Sequence, residues 1–209
     1  MLDYLKDPAA IYEKSFATVR EEADLSTFPP PLDAFAIRLI HACGMVDIAG
    51  DLKVSADLWD AANDALRSAA PVITDCEMVA SGIIRRLLPT SNEVLCTLND
   101  PQTPVLAAKH ETTRSAAAVE LWKPFVEGAV VAIGNAPTTL FALLEALDAG
   151  FPKPAAILGF PVGFVGADES KQELAQNPRG VEFATLLGRR GGSAVASAAV
   201  NAISAGAGR

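Results

Sequence analysis

The chain has 209 residues, a length typical of one domain or at most two small ones. Half of the residues are hydrophobic and 20% are charged, which allows a sizeable core and excludes an intrinsically disordered protein. The formal net charge of −8 argues against a general nucleic-acid binder, since such a protein carries a broad basic surface.

The cysteines and the apolar segments indicate a cytoplasmic protein. There are three widely spaced cysteines and no Cys-x-x-Cys pair, which argues against a disulfide framework and a zinc site. The first ten residues lack the basic and apolar regions of a secretory signal. The longest apolar stretch, residues 128–147, is interrupted by a glycine, an asparagine and a proline, so we expect no membrane span.

The sequence pattern of the first third of the chain predicts three helices. Asp7 is a candidate N-cap and Pro8 suits the first helical position, so a helix is expected to about residue 23. Three consecutive prolines then separate it from a second helix over residues 32–43, which ends at a glycine. A third helix is expected over roughly residues 56–69.

From residue 71 onward, short apolar runs alternate with helical segments. The five predicted strands lie in PVITD, NEVLCTL, AVVAIG, PAAILGF and VEFATLLG. The helices between and after them lie in CEMVASGIIRRLL, TRSAAAVELW, TTLFALLEAL, ESKQELAQ and SAVASAAVNAIS, and a proline-containing loop precedes the second. This alternation predicts one α/β domain over residues 1–209: a doubly wound, five-stranded parallel sheet in residues 71–209, with a helical N-terminal part in residues 1–70.

Such a sheet binds ligands beyond the carboxyl ends of its strands. The turns expected there are TDCE, GNAPTT, GFPVGFVGADES and GRRGGS. Their glycines and the helix N-termini suit a carboxylate or phosphate, and Arg189 and Arg190 add positive charge. The alternative is that these turns hold small residues only because the fold requires them. No G-x-G-x-x-G, P-loop or G-x-S-x-G pattern is present, which disfavours a nucleotide-binding regulatory domain and a serine hydrolase.

His41 is a candidate acid–base residue. It lies in the last turn of the second predicted helix and shares a face with Ala34 and Ile37. The negative end of the helix dipole favours the imidazolium, whereas burial opposes it, so the ring could donate and recover a proton near neutral pH. The alternative is a core histidine bonded to a backbone carbonyl.

Other polar residues are weaker candidates. His110 is expected in a surface loop, and Asp75, Cys76 and Glu77 lack a nearby histidine, so no metal site is predicted. Arg114 follows a probable N-cap, and Ser15 and Arg20 would reach the ligand edge only if the first helix packs over the strand ends. The alternative for Arg114 is a solvated surface charge.

Several long segments resemble the precorrin-8X methylmutase (precorrin isomerase) family of cobalamin biosynthesis, over essentially the whole chain. They are IYEKSFATVREEADL, HACGM, DCEMVASGI, NEVLCTLNDPQTP, TRSAAAVELW, VVAIGNAPTTLFALLE, PAAILGFPVGFVGADESK and GRRGGSAVASAAVNAI.

The resemblance implies a flavodoxin-like fold, a homodimer with shared active sites and no cofactor. It implies movement of a methyl group from C-11 to C-12 of precorrin-8X to give hydrogenobyrinate, with His41 near ring C and Ser15 in contact with the substrate. It also suggests further substrate-binding residues, namely Arg20, Arg114, Gly134, Asn135, Thr138, Arg189, Gly191 and Gly192.

The implied reaction explains the histidine. A 1,5-sigmatropic methyl shift needs the correct tautomer, and protonation of the ring C nitrogen by His41 would lower its barrier. Two alternatives remain open: a methylmutase for the cobalt-containing intermediate of the anaerobic pathway, and a non-catalytic corrinoid carrier.

Overall fold

Six strands form a single sheet in the computed structural model, which describes residue 2 and residues 4–207. The ends of the predicted 1–209 domain, residues 1, 3, 208 and 209, lie outside the described residues. The strands are β1 (Leu52–Val54), β2 (Val72–Thr74), β3 (Val94–Cys96), β4 (Val130–Ile133), β5 (Ala156–Gly159) and β6 (Glu182–Leu186). Their order is β1-β6-β5-β4-β2-β3, and β2 to β6 are parallel. Without β1, this is the flavodoxin order.

The predicted strand count of five is wrong, because β1 is a sixth strand within the segment expected to be helical. It pairs antiparallel with β6, with Leu52 opposite Leu186. A strand of three residues with only one buried side chain is too short to show a period of two. The parallel strands were easier to predict because β2, β4 and β5 are buried along their whole length.

Nine α-helices surround the sheet in the described part of the chain. They are α1 (Pro8–Glu22), α2 (Leu32–Cys43), α3 (Leu58–Arg67), α4 (Glu77–Gly82), α5 (Gln102–Lys109), α6 (Arg114–Ala117), α7 (Pro137–Asp148), α8 (Ala167–Gln176) and α9 (Ser193–Ala207). Three 3-10 helices cover Val46–Gly50, Arg85–Leu87 and Ala118–Trp122. None of the described helices is both long and apolar enough to cross a membrane.

The start of α1 and the end of α2 lie at the residues that the sequence predicted. Asp7 Oδ2 accepts a hydrogen bond of 2.7 Å from the Ala10 amide, and Pro8 is the first residue of α1. Gly44 adopts a left-handed conformation after α2, and its amide donates to the Ile40 carbonyl.

Two other segments differ from their predictions. The helix expected through residues 76–88 ends at Gly82, and a 3-10 helix follows a short break. The proline-containing segment expected to be a loop forms α5, because Pro104 lies in the first turn, where a missing N–H breaks no helical bond.

The sheet separates two apolar layers. Val130 and Ala132 of β4 belong to the layer that contains α2, α3, α4 and α9, whereas Val131 and Ile133 belong to the layer that contains α7 and α8. α9 packs against α2, α3 and α4. Because α9 begins directly after β6, its first turns lie at the carboxyl edge of the sheet, and the end of α2 is close to them.

Candidate active site

Gly134 lies at the carboxyl end of β4, where the strand order reverses between β2 and β4. A Cβ at this position would lie 2.8 Å from the Cα of Ser193, the Cβ of Ala196 and a methyl group of Val79. The glycine therefore allows α4 and the start of α9 to approach the sheet closely. Its observed role is in packing.

The amides of the GNAPTT turn are already bound within the protein. Asp75 Oδ1 accepts a hydrogen bond from the Gly134 amide, and Asp75 Oδ2 accepts one each from the Asn135 and Ala136 amides, at 2.8–2.9 Å. Burial raises the pKa of the Asp75 carboxyl, although the three amides favour its ionised form. The sequence predicted that these amides would be free to bind an anionic ligand, and this prediction is wrong. The turn offers the exposed Asn135 side chain instead.

His41 is half-buried and is paired with Ser15, 26 residues away in the sequence. Ser15 Oγ lies 2.7 Å from His41 Nδ1, so the hydroxyl donates to an unprotonated Nδ1 or accepts from a protonated one. The rings of Tyr12 and Phe16 flank the imidazole, with centroids 5.2 and 5.3 Å away. Among the described residues, no backbone carbonyl forms a hydrogen bond with His41, which is the contact that the core alternative predicts.

The imidazole lines a cleft of about 200 Å³ between α1, α2 and the first turns of α9. Within the described residues, no group forms a hydrogen bond with His41 Nε2. One ring nitrogen is therefore fixed by Ser15, and the other is available to a bound molecule. The cleft is lined by Tyr12, Arg38, His41, Ala42, Ile84, Ala194, Ser197, Ala198 and Asn201.

Arg20 lines an adjoining cavity of about 390 Å³, together with Phe16 and Arg38. Arg38 also borders the His41 cleft, and its guanidinium lies 5.6 Å from the centre of the Phe16 ring. Neither arginine forms an ion pair with a carboxylate in the part of the chain that the structure describes. The first helix packs beside the cleft, which is the condition for Ser15 and Arg20 to contact a ligand there.

The GRRGGS turn separates its two arginines. Arg190 forms ion pairs with Asp47 and Asp51, at 2.5 and 2.8 Å. The guanidinium of Arg189 instead lies 5.4 Å from the ring centre of Phe164, whose side chain is 85% exposed. Of the pair, Arg189 is thus the arginine that a ligand could reach.

The two glycines of this turn fit a close backbone contact. Gly191 has a φ of 155°, and a Cβ there would collide with the carbonyl oxygens of Phe160 and Pro161. Gly192 has a φ of 114°, and its amide donates to the Phe160 carbonyl at 2.8 Å. Both glycines hold the turn against the end of β5.

Arg114 and Thr138 lie in a different part of the carboxyl edge. Arg114 donates to the Leu98 carbonyl and to Asn99 Oδ1, at 2.9 and 3.0 Å. Thr138 Oγ1 accepts a hydrogen bond from Thr113 and lines a groove of about 490 Å³ beside α7. Neither Arg114 nor Thr138 lines the His41 cleft, and the groove shares no lining residue with it, so the structure does not bring these two residues to the histidine.

His110 is exposed at the end of α5, as expected, and its Nε2 lies 3.2 Å from a carboxylate oxygen of Glu120. Among the described residues, no group of three or more histidine, cysteine and acidic side chains is arranged to hold a metal ion.

Sequence reasoning missed four residues of the site: Tyr12, Arg38, Asn201 and Asp75. Tyr12 and Arg38 precede Ser15 and His41 by three residues, so helical spacing could have indicated them. Asn201 accepts a hydrogen bond from the Ile84 amide and donates to the Gly82 carbonyl, which joins α9 to the end of α4. No local signal indicates that bond or the Asp75 contacts.

Known proteins similar to this chain are methylmutases. Residues 10–205 match a family model described as precorrin-8X methylmutase. The precorrin-8X methylmutases of Pseudomonas aeruginosa and a Sinorhizobium species are each 56% identical, over 97% and 96% of this chain and 98% and 96% of their own. A cobalt-precorrin-8 methylmutase of Salmonella typhimurium is 38% identical over 97% of both chains. The solved structure of a precorrin-8X methylmutase from Thermus thermophilus aligns with a TM-score of 0.85 and 35% identity, covering 96% of this chain and 98% of its own.

Proposed function

The chain belongs to the precorrin-8X methylmutase family, and we propose that His41 is the acid that assists its reaction. The enzyme is an isomerase that transfers a methyl group within one molecule. The observation that carries the proposal is the half-buried imidazole, with Nδ1 bonded to Ser15 and Nε2 open to a cleft.

In the proposed reaction, the methyl group moves from C-11 to C-12 of precorrin-8X and gives hydrogenobyrinate. The C-11 to methyl bond breaks as the C-12 to methyl bond forms, so no electrons enter or leave. His41 Nε2 donates a proton to the ring C nitrogen, which draws electron density from the migrating terminus, and recovers it afterwards. Ser15 keeps the ring orientation fixed through Nδ1.

The proposed substrate is the metal-free intermediate. The two relatives named for precorrin-8X are 56% identical to this chain, whereas the Salmonella relative named for the cobalt-containing substrate is 38% identical. Comparing turnover of precorrin-8X and of its cobalt-containing counterpart tests this assignment, and faster turnover of the cobalt form would contradict it.

The substrate's carboxylates need positive groups despite the net charge of −8. Arg20, Arg38 and Arg189 lack carboxylate partners among the described residues, and they would bind the acidic rim of the macrocycle. Arg114 and the side chains of Asn135 and Thr138 would bind a more distant part of it.

We propose a homodimer whose active sites are shared. A cleft of about 200 Å³ is below the range of typical small-molecule pockets and is too small to enclose a corrinoid macrocycle. Large apolar side chains near the site are exposed, among them Tyr12, Phe164 and Val165. A second copy would cover them and complete the walls. Light scattering after size exclusion should give about twice the 21.8 kDa chain mass, and a monomer at assay concentration would refute the shared site.

Two further parts of the proposal concern the cell. The three free cysteines suit a reducing cytoplasm, and the acidic charge argues against a nucleic-acid partner.

We also propose that residues 1–209 form one domain, because β1 joins the N-terminal part to the sheet.

The function is tested by incubating the purified protein with precorrin-8X and following the absorbance change as the corrin chromophore forms. Turnover supports the methylmutase. Binding of hydrogenobyrinate without turnover of either precorrin-8X or its cobalt form would support the carrier alternative and refute the proposal.

A further inference from the structure

Lys171 is fully buried, with a side chain that is 0% exposed, and no other lysine or arginine among the described residues is buried to this extent. Its ammonium donates a hydrogen bond of 2.6 Å to the backbone carbonyl of Arg190. Burial lowers the pKa of Lys171 to about 8, while the nearby charges of Asp168 and Asp51 oppose this shift. The side chain is therefore mainly cationic at neutral pH, and a buried cation is costly unless it is bonded.

The residues around Lys171 hold the same turn from several sides. Asp168, one turn earlier on α8, accepts a hydrogen bond of 2.8 Å from the Gly188 amide. Asp51 accepts one from the Leu187 amide through its carbonyl and forms an ion pair with the Arg190 side chain. The Gly192 amide is held by the Phe160 carbonyl, directly after β5. Between these contacts, the Lys171 ammonium of α8 donates to the Arg190 carbonyl, at the centre of the turn.

The side chains of the two adjacent arginines lie in different surroundings. Arg190, whose carbonyl is bound to Lys171, extends toward Asp47 and Asp51 and is neutralised there. Arg189 lies beside the exposed ring of Phe164, with no carboxylate partner among the residues described. The backbone that carries the free guanidinium is held by two bonds, one from the Gly163 amide to the Arg189 carbonyl and one from Lys171 to the Arg190 carbonyl.

We propose that Lys171 is a positioning residue, which fixes the Arg190 carbonyl so that the Arg189 side chain is presented to a carboxylate of the substrate. It does not touch the substrate, because its ammonium is buried beneath the turn. The proposal rests on the proposed function for the identity of the ligand, but the fixing of the turn can be measured without any ligand.

The test replaces Lys171 by methionine, which fills a similar volume without a donor. We expect KM for precorrin-8X to rise about tenfold, equivalent to about 1.4 kcal/mol, while kcat changes little, because the lost contact is made equally before and during the methyl shift. Lys171→Gln keeps an N–H donor and should restore most of the affinity. In the unliganded protein, amide exchange of a peptide spanning residues 187–193 should be faster in Lys171→Met than in the wild type.

The matched control is Arg179→Met. Arg179 is also a largely buried cation, and it forms ion pairs with Asp148 and Glu173, away from the turn. Its loss should lower thermal stability without changing KM. An unchanged KM in Lys171→Met, or an equal rise in Arg179→Met, overturns the proposal. If the wild type shows no turnover at all, the proposed function fails separately, and unchanged exchange in residues 187–193 then overturns the positioning role.

Discussion

Replacement of Asp75 by asparagine tests the anchoring of the β4–α7 turn. The carboxylate accepts three backbone hydrogen bonds, two of them at Oδ2. An asparagine keeps two of the three bonds when its oxygen stays on the amides of Asn135 and Ala136, and its NH2 group then faces the Gly134 amide. The buried Gly134 amide faces a donor and loses its acceptor.

The magnitude follows from this one amide. A buried donor without a partner costs about 1–3 kcal/mol. The burial that raises the pKa of Asp75 is relieved when the charge is removed, so the net loss falls in the lower half of that range, about 1–2 kcal/mol. For a chain of this size, that loss lowers Tm by roughly 2–8 °C.

The assay is urea unfolding at neutral pH, followed by circular dichroism, with a thermal scan as a second measurement. Asp24→Asn is the matched control: Asp24 also accepts a backbone amide, from Ser26, but it is fully exposed, and we expect no measurable change. Turnover of Asp75→Asn should also fall, because the turn supports the start of α9 beside the His41 cleft. A midpoint and slope equal to those of the wild type would refute the view that this carboxylate holds the turn.

Three further predictions concern single side chains. Ser15→Ala removes the 2.7 Å bond to His41 Nδ1, so turnover should fall by about 2- to 12-fold with little change in hydrogenobyrinate affinity, and an unchanged kcat would contradict the positioning of the ring. Arg114→Ala should weaken hydrogenobyrinate binding in titrations, and the difference from wild type should shrink as salt is added; an unchanged affinity would remove this residue from the site. Because Lys171 has a pKa of about 8 in the fold and 10.5 when its side chain is exposed to water, the unfolded chain binds more protons between these pH values. The free energy of unfolding of wild type should therefore rise relative to Lys171→Met by up to about 3 kcal/mol across that range, and urea titrations without this rise would show that the ammonium is not buried.

Local signals explain why much of the fold could be predicted. Asp7 caps the start of α1 and Gly44 ends α2, so a few neighbouring residues of the sequence are enough to predict these two helix ends. The strands β2, β4 and β5 are buried runs, which stand out against polar turns. β1 gives no such signal: three residues become a strand only because β6 offers an edge, which is a property of the assembled sheet.

The site was less predictable than the fold. His41 was found from its place on an amphipathic helix, whereas Ser15 was a weak candidate on the first helix until the family resemblance implied contact with the substrate. Their contact, across 26 residues, depends on how α1 packs on α2. The capture of the GNAPTT amides by Asp75, about 60 residues earlier in the chain, is likewise set by the neighbouring positions of β2 and β4. The composition of the turn therefore predicted free amides, whereas in the folded protein they are hydrogen-bonded to Asp75.

The most direct test of the account is the rate of methyl migration in His41→Ala, measured in a single turnover, beside hydrogenobyrinate affinity on the same sample. Loss of a general acid should slow the shift by about 10²- to 10⁴-fold. The product dissociation constant should stay within about threefold of wild type, a difference below 1 kcal/mol. A migration rate close to that of the wild type would contradict proton donation by His41, and joint loss of the fold and of product binding would mean that the imidazole serves the core instead.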